Sequence, residues 1–168
     1  MESFSFLIPG TVGLQVTLTE LEDGSVRFDL ENQGDQVADL RGLFFDFNDP
    51  DLLSSLSVDG DQVSEASFED DSVRNLGDGV NMNGAGIFDI GVSFGTAGIG
   101  YDDIFSTSFT LSSSAGPLSL EAFANVEFGV RYTSVGTEDG VREDSLKLVA
   151  LSPDYVPPDP LDPPIIIG

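Results

Sequence analysis

The sequence predicts an all-β protein, an antiparallel β-sandwich of about nine or ten short strands. Three observations carry that expectation. Apolar and polar residues alternate with period two along nearly the whole chain, and almost nowhere does a helical period compete. Clusters of Gly, Asn, Asp and Ser separate the alternating runs, as turns separate strands. Thirteen Phe and no Trp suit an aromatic layer between two sheets.

The strands follow in chain order. Leu14, Val16 and Leu18 alternate with Gln15, Thr17 and Thr19. Asp23-Gly24 then provides hairpin chemistry before Val26, Phe28 and Leu30. A strand over about Leu40 to Phe47 turns Leu43, Phe45 and Phe47 to one face and Phe44 and Asp46 to the other. Asn48-Asp49-Pro50-Asp51 breaks it, and Leu52 to Leu56 forms a helical turn. Two short strands are expected between Val58 and Leu76. Phe88, Ile90, Val92 and Phe94 share one face of the next, and Phe105, Thr107, Phe109 and Leu111 one face of its successor. Leu118 and Leu120 begin another, followed by Val126, Phe128, Val130 and Tyr132, and then by Leu146 and Leu148. Alternation assigns Phe45, Phe88, Phe109 and Phe128 to the space between the sheets and points Tyr132 inward. The sandwich domain runs over 1–152. A tail over 153–168 holds six Pro up to Pro164, favouring extended polyproline II, and then the apolar Ile165-Ile166-Ile167.

Composition narrows the chemistry. Thirty acidic residues stand against six basic ones in 168, a net charge of −24. Nucleic acid and anionic membrane surfaces attract clustered Lys and Arg, so neither is an expected partner. No run of apolar residues approaches the ~18 needed to span a membrane. Zero His and zero Cys remove Ser-His-Asp and Cys-His catalysis, zincins and disulfides. Carboxylates, hydroxyls and carbonyls remain. High salt screens a self-repelling acidic surface, so adaptation to a saline habitat is a rival account of the charge.

Oxygen-rich loops point to calcium, which takes six to eight oxygen ligands. The best single loop, Asn75 to Gly86, carries Asp78, Asn81 and Asn83; Asp59 with Asp61 and Asp102 with Asp103 are further pairs. It is not an EF-hand, because Gly79 stands at the first acidic position and Ile90 at the bidentate one. Tyr101 beside Asp102 and Asp103 is a candidate sugar platform. An enzyme of this composition is a two-carboxylate glycosidase. Asp46 and Asp89 are its nearest candidates, with Asp29 and Glu127 behind them, and the bland reading makes all four outward-facing strand residues. Ile165, Ile166 and Ile167, beyond a stiff spacer, are candidate assembly residues able to add to a neighbour's sheet. A plain linker is their bland reading.

Three segments carry a resemblance: Asp39 to Phe47, Phe88 to Thr96, and Phe128 to Gly136. Together they resemble β-sandwich modules of large secreted haemolysin-type calcium-binding proteins of marine bacteria and cyanobacteria. The turn at Asn48 to Leu53 is similar to that of cohesin-like sandwiches. The resemblance covers about residues 13 to 152 and implies a jelly-roll or cohesin-like sandwich in an extracellular, non-catalytic role. It carries over no catalytic residue.

The expected function is therefore an extracellular structural protein without enzymatic activity. It self-assembles head to tail into a filament or surface matrix, is stabilised by calcium, and docks its tail on a neighbour. The alternative is a calcium-dependent module that binds surface polysaccharide or mediates adhesion.

Overall fold

A computed structural model describes residues 2–95, 103–137, 140 and 144–156. Ten strands follow in order: β1 (Ser3–Ile8), β2 (Leu14–Glu20), β3 (Val26–Asn32), β4 (Val37–Phe45), β5 (Leu56–Asp59), β6 (Val63–Val73), β7 (Phe88–Phe94), β8 (Ser106–Ser113), β9 (Glu127–Gly136) and β10 (Asp144–Leu151). They form two antiparallel five-stranded sheets, ordered β1-β2-β3-β8-β5 and β10-β9-β4-β7-β6. The expected all-β sandwich is thus the observed architecture.

Alternation set the registers correctly across most of the core. Leu14, Val16 and Leu18 of β2 are fully buried with Val26 and Phe28 of β3. Phe28 stacks on Phe109 at 4.6 Å between centroids and on Phe45 at 5.2 Å, and Phe45 stacks on Phe128 at 5.1 Å. Offset aromatic pairs of this kind add to the burial of apolar area itself. The inward Tyr132 donates its hydroxyl to the Gly13 carbonyl at 2.9 Å, which satisfies the polar tip inside the core.

Four expectations need correction. Phe105, expected on one face with Phe109 and Leu111, precedes β8 and is 48% exposed, and Asp89, expected to face outward, is buried. Leu118 and Leu120 do not start a strand: Leu120–Phe123 is a 3-10 turn. The Ser119 hydroxyl accepts from Glu121 N–H at 3.2 Å, a helix-starting contact, and three apolar residues are too few to separate the two periods. Phe88 is buried, but not between the sheets. It belongs to a second apolar cluster with Phe44, Val73, Val80 and Met82.

That cluster lies on the outer face of β4, β7 and β9, to which Phe44 is turned by alternation. Three glycines make room for it. A Cβ on Gly42 would come 2.6 Å from Val80, one on Gly129 2.6 Å from Met82, and one on Gly91 2.8 Å from Val73. The segment following β6 folds over this glycine-lined floor and seats Val80 and Met82 there. The centre of sheet β10-β9-β4-β7-β6 is therefore covered on both faces, which explains why every residue of β7 is buried.

Candidate functional site

The covering segment is the loop singled out for calcium. Its oxygens are largely engaged by the chain's own donors. Asn75 Oδ1 accepts from Gly77 N–H at 2.9 Å, and Asn81 Oδ1 from Asn83 N–H at 3.1 Å. The Gly79 carbonyl accepts from Arg131 Nε at 3.1 Å, and the Asn83 carbonyl from Lys147 Nζ at 2.8 Å. Two of the chain's six cationic residues thus hold this loop. Asp78 is exposed, with φ of +52 that suits a turn. Asn81 and Asn83 are turn-formers over an apolar lid.

The remaining predicted residues are dispersed. Asp59 ends β5 opposite Thr110. Asp61, in the crossing to β6, lines an open groove of about 630 Å³ on the outer face of the first sheet with Gln15, Thr17, Asp29, Glu31 and Gln62. Asp29 also pairs with Arg27 at 3.0 Å, apart from the other three carboxylates named above. Asp103 is half-buried just before Ile104. Tyr101, Asp102, Ile165, Ile166 and Ile167 lie outside the described residues. Among the described residues, no three acidic side chains come together as a group able to hold a metal ion.

One grouping has no signature in the spacing. Asp46, Asp70, Asp71, Asp89 and Glu127 line an open cleft of about 580 Å³ at one end of the second sheet. They come from the end of β4, the middle of β6, β7 and the start of β9, so only tertiary structure unites them. Asp89 is 7% exposed and ties the strands together. Its Oδ2 accepts from Phe47 N–H at 2.9 Å and its Oδ1 from Asp71 N–H at 2.7 Å. These bonds replace ladder contacts where β6 slips register between Phe68 and Val73, opposite Ile90 and Phe88. The same irregularity accompanies the turning of Phe88 to the outer face. Asp46 sits beside Asp89 with its carboxyl pushed up to about 6. Burial is the larger cause, and the charges of Asp89, Glu127 and Asp71 add to it. The arrangement sets a protonatable acid beside a second carboxylate, both of whose oxygens are occupied by backbone donors.

The two margins of the sandwich differ in chemistry. On one side β5 and β6 carry Asp59, Glu65, Glu69, Asp70 and Asp71. On the other, β1 faces β10, and each turns apolar residues to solvent: Leu7 on β1, Val149 and Leu151 on β10, with Val156 just beyond. Phe6 reaches across to Phe128 at 4.8 Å. The chain leaving β10 stays bound here for a few residues. Asn125 N–H donates to the Pro153 carbonyl at 3.2 Å, its side-chain amide to Asp154 at 2.9 Å, and Tyr155 packs on Phe4 at 5.3 Å. No protein-family model, curated protein or solved structure matches this chain.

Proposed function

We propose that this chain is an extracellular, non-catalytic structural subunit that assembles head to tail, with residues 157–168 of one copy docking on the next. The supporting observation is that four of the six exposed large apolar side chains among the described residues lie on the edge strands β1 and β10 or just beyond β10. Exposed apolar edge strands mark association surfaces rather than solvated faces. The segment 153–155 is anchored at that same margin, so the residues after it start at the association surface. A heterologous contact of this kind repeats into open filaments or rings. Calcium is left out of the proposal, because the loop best suited to it holds its oxygens on the chain's own donors.

Negative-stain microscopy of the purified chain tests the reading. Filaments or rings are expected, and a uniform field of single sandwiches contradicts it. The groove lined by Gln15, Thr17, Asp29, Glu31 and Gln62 favours a second reading, a carbohydrate-binding module. Amides and carboxylates of this kind hydrogen-bond sugar hydroxyls. Saturable binding on a glycan array, lost in Gln15→Ala and Gln62→Ala, would put that reading first.

A further inference from the structure

We propose that Asn83 is a spontaneous modification site: it condenses with the Gly84 nitrogen to a cyclic imide that opens to Asp or isoAsp, and the isoAsp form unseats the lid over the second sheet. The inference stands apart from the assembly reading and needs no partner.

Six Asn occur in the chain, and only Asn83 precedes Gly. Attack by the next backbone nitrogen on a carboxamide requires both groups to be free, and Gly brings no side chain to shield the nitrogen. The other five Asn fail that requirement. The N–H groups that follow four of them are held: Gln33 by the Gly13 carbonyl at 3.0 Å, Leu76 by Val80 at 2.8 Å, Met82 by Arg74 at 2.7 Å and Val126 by the Ser152 hydroxyl at 3.1 Å. The carboxamide of the fifth, Asn48, donates to the Ala124 carbonyl at 2.9 Å. Asn83 differs on each count. It is exposed, and among the described residues no hydrogen bond engages its carboxamide or the Gly84 N–H. A Cβ at Gly84 would meet nothing within 4 Å, so the carboxamide has room to swing onto the nitrogen.

The chemistry needs only water. Hydroxide takes the Gly84 amide proton as the nitrogen bonds to Asn83 Cγ. The Cγ–Nδ2 bond breaks, and the departing nitrogen takes a proton from water and leaves as ammonia. Water then opens the imide. Attack at Cγ gives Asp, whereas attack at the main-chain carbonyl carbon gives isoAsp, whose backbone runs through the side-chain methylene. One water is consumed and one ammonia released, with no change of oxidation state.

The position decides the consequence. Asn83 and Gly84 are the central residues of a turn closed by the Ala85 N–H on the Met82 carbonyl at 2.8 Å, and the same carbonyl accepts from Gly86 N–H at 3.1 Å. Gly84 holds a φ of +81°, as the third residue of such a turn requires. Met82 is fully buried and packs on Gly129 too closely to admit a Cβ there. An isoAsp adds one atom to the backbone of this turn. It also turns the Asn83 carbonyl, which accepts from Lys147 Nζ, into a carboxylate that branches off the main chain. The turn then no longer sets Met82 on its glycine floor, and Lys147 no longer clasps the loop by its backbone. Opening to Asp leaves the backbone, and hence the lid, in place.

Ageing of the full-length chain in neutral buffer tests this. Wild type is expected to release ammonia, to exchange NH for O by mass in the peptide carrying Asn83, and to accept methyl groups from an isoaspartate methyltransferase. Asn83→Gln, which must close a larger ring, should lose all three signals while keeping its melting temperature. Hydrogen exchange reads the effect on the lid. The Ala85 and Gly86 amides should lose protection in the isoAsp fraction and keep it in Asn83→Asp, which has the new charge without the longer backbone. A wild type that keeps its mass, or changes equally in peptides carrying the other Asn residues, overturns the site. Full protection of Ala85 and Gly86 in the isoAsp fraction, or equal loss in Asn83→Asp, overturns the release of the lid.

Discussion

Burial and the neighbouring Asp89, Glu127 and Asp71 carboxylates push the Asp46 carboxyl up to about 6, whereas an unfolded chain leaves it near 4. The folded state thus binds this proton more tightly than the unfolded state does. The stability it contributes is fully present below about pH 4 and is lost as pH rises through about 6. Asp46→Asn is neutral at every pH and escapes that loss. It should melt higher than wild type at pH 7.5, with the advantage shrinking toward zero near pH 4. Paired thermal melts at the two pH values check this, and an advantage independent of pH would mean that charge at Asp46 is not the cause. Asp89 should behave oppositely, because Asp89→Ala leaves the buried N–H of Phe47 without its acceptor and removes that of the part-buried Asp71 N–H. A loss of about 1–3 kcal/mol is expected in denaturant melts from the buried Phe47 N–H, and less from that of Asp71, which water can reach.

Among the elements, the lid over the second sheet makes two cores out of one chain. Phe88 and Met82 share the outer cluster, while Phe109 lies between the sheets. Phe88→Ala and Phe109→Ala should each cost about 3–5 kcal/mol. A double-mutant cycle should show coupling between Phe88 and Met82 and additivity between Phe88 and Phe109. Strong coupling of the second pair would return Phe88 to the central core. The lid also predicts that millimolar calcium at constant ionic strength leaves the amide resonances of Asn75 to Gly86 unmoved. Ordered shifts confined to that loop would show its oxygens exchanging Arg131 and Lys147 for the ion. Strand identities were legible in the sequence because one side chain in two faces the core. Ser3–Ile8 was missed: Phe4, Phe6 and Ile8 are in step, but Leu7 interrupts its polar face and hides the period. The lid was hidden for a different reason: Gly42, Gly91 and Gly129 each look like weak strand residues, and only their adjacency across β4, β7 and β9 makes a floor. The cleft around Asp46 was hidden likewise, since four strands contribute to it and no spacing along the chain records that.

At the scale of the whole molecule, charge and apolar margin act against each other. A net charge of −24 repels copies in dilute salt, and the proposed assembly requires the apolar residues of β1 and β10 to draw them together once salt screens that repulsion. Assembly should therefore strengthen from low salt to about the physiological 0.15 M. The most direct measurement is the light-scattering mass of the full chain and of Ile166→Asp, at equal concentration in 0.15 M salt. The account predicts a mass that rises with concentration for the full chain and stays at one subunit for the variant. Equal masses at every concentration, whether both monomeric or both assembled, would contradict it.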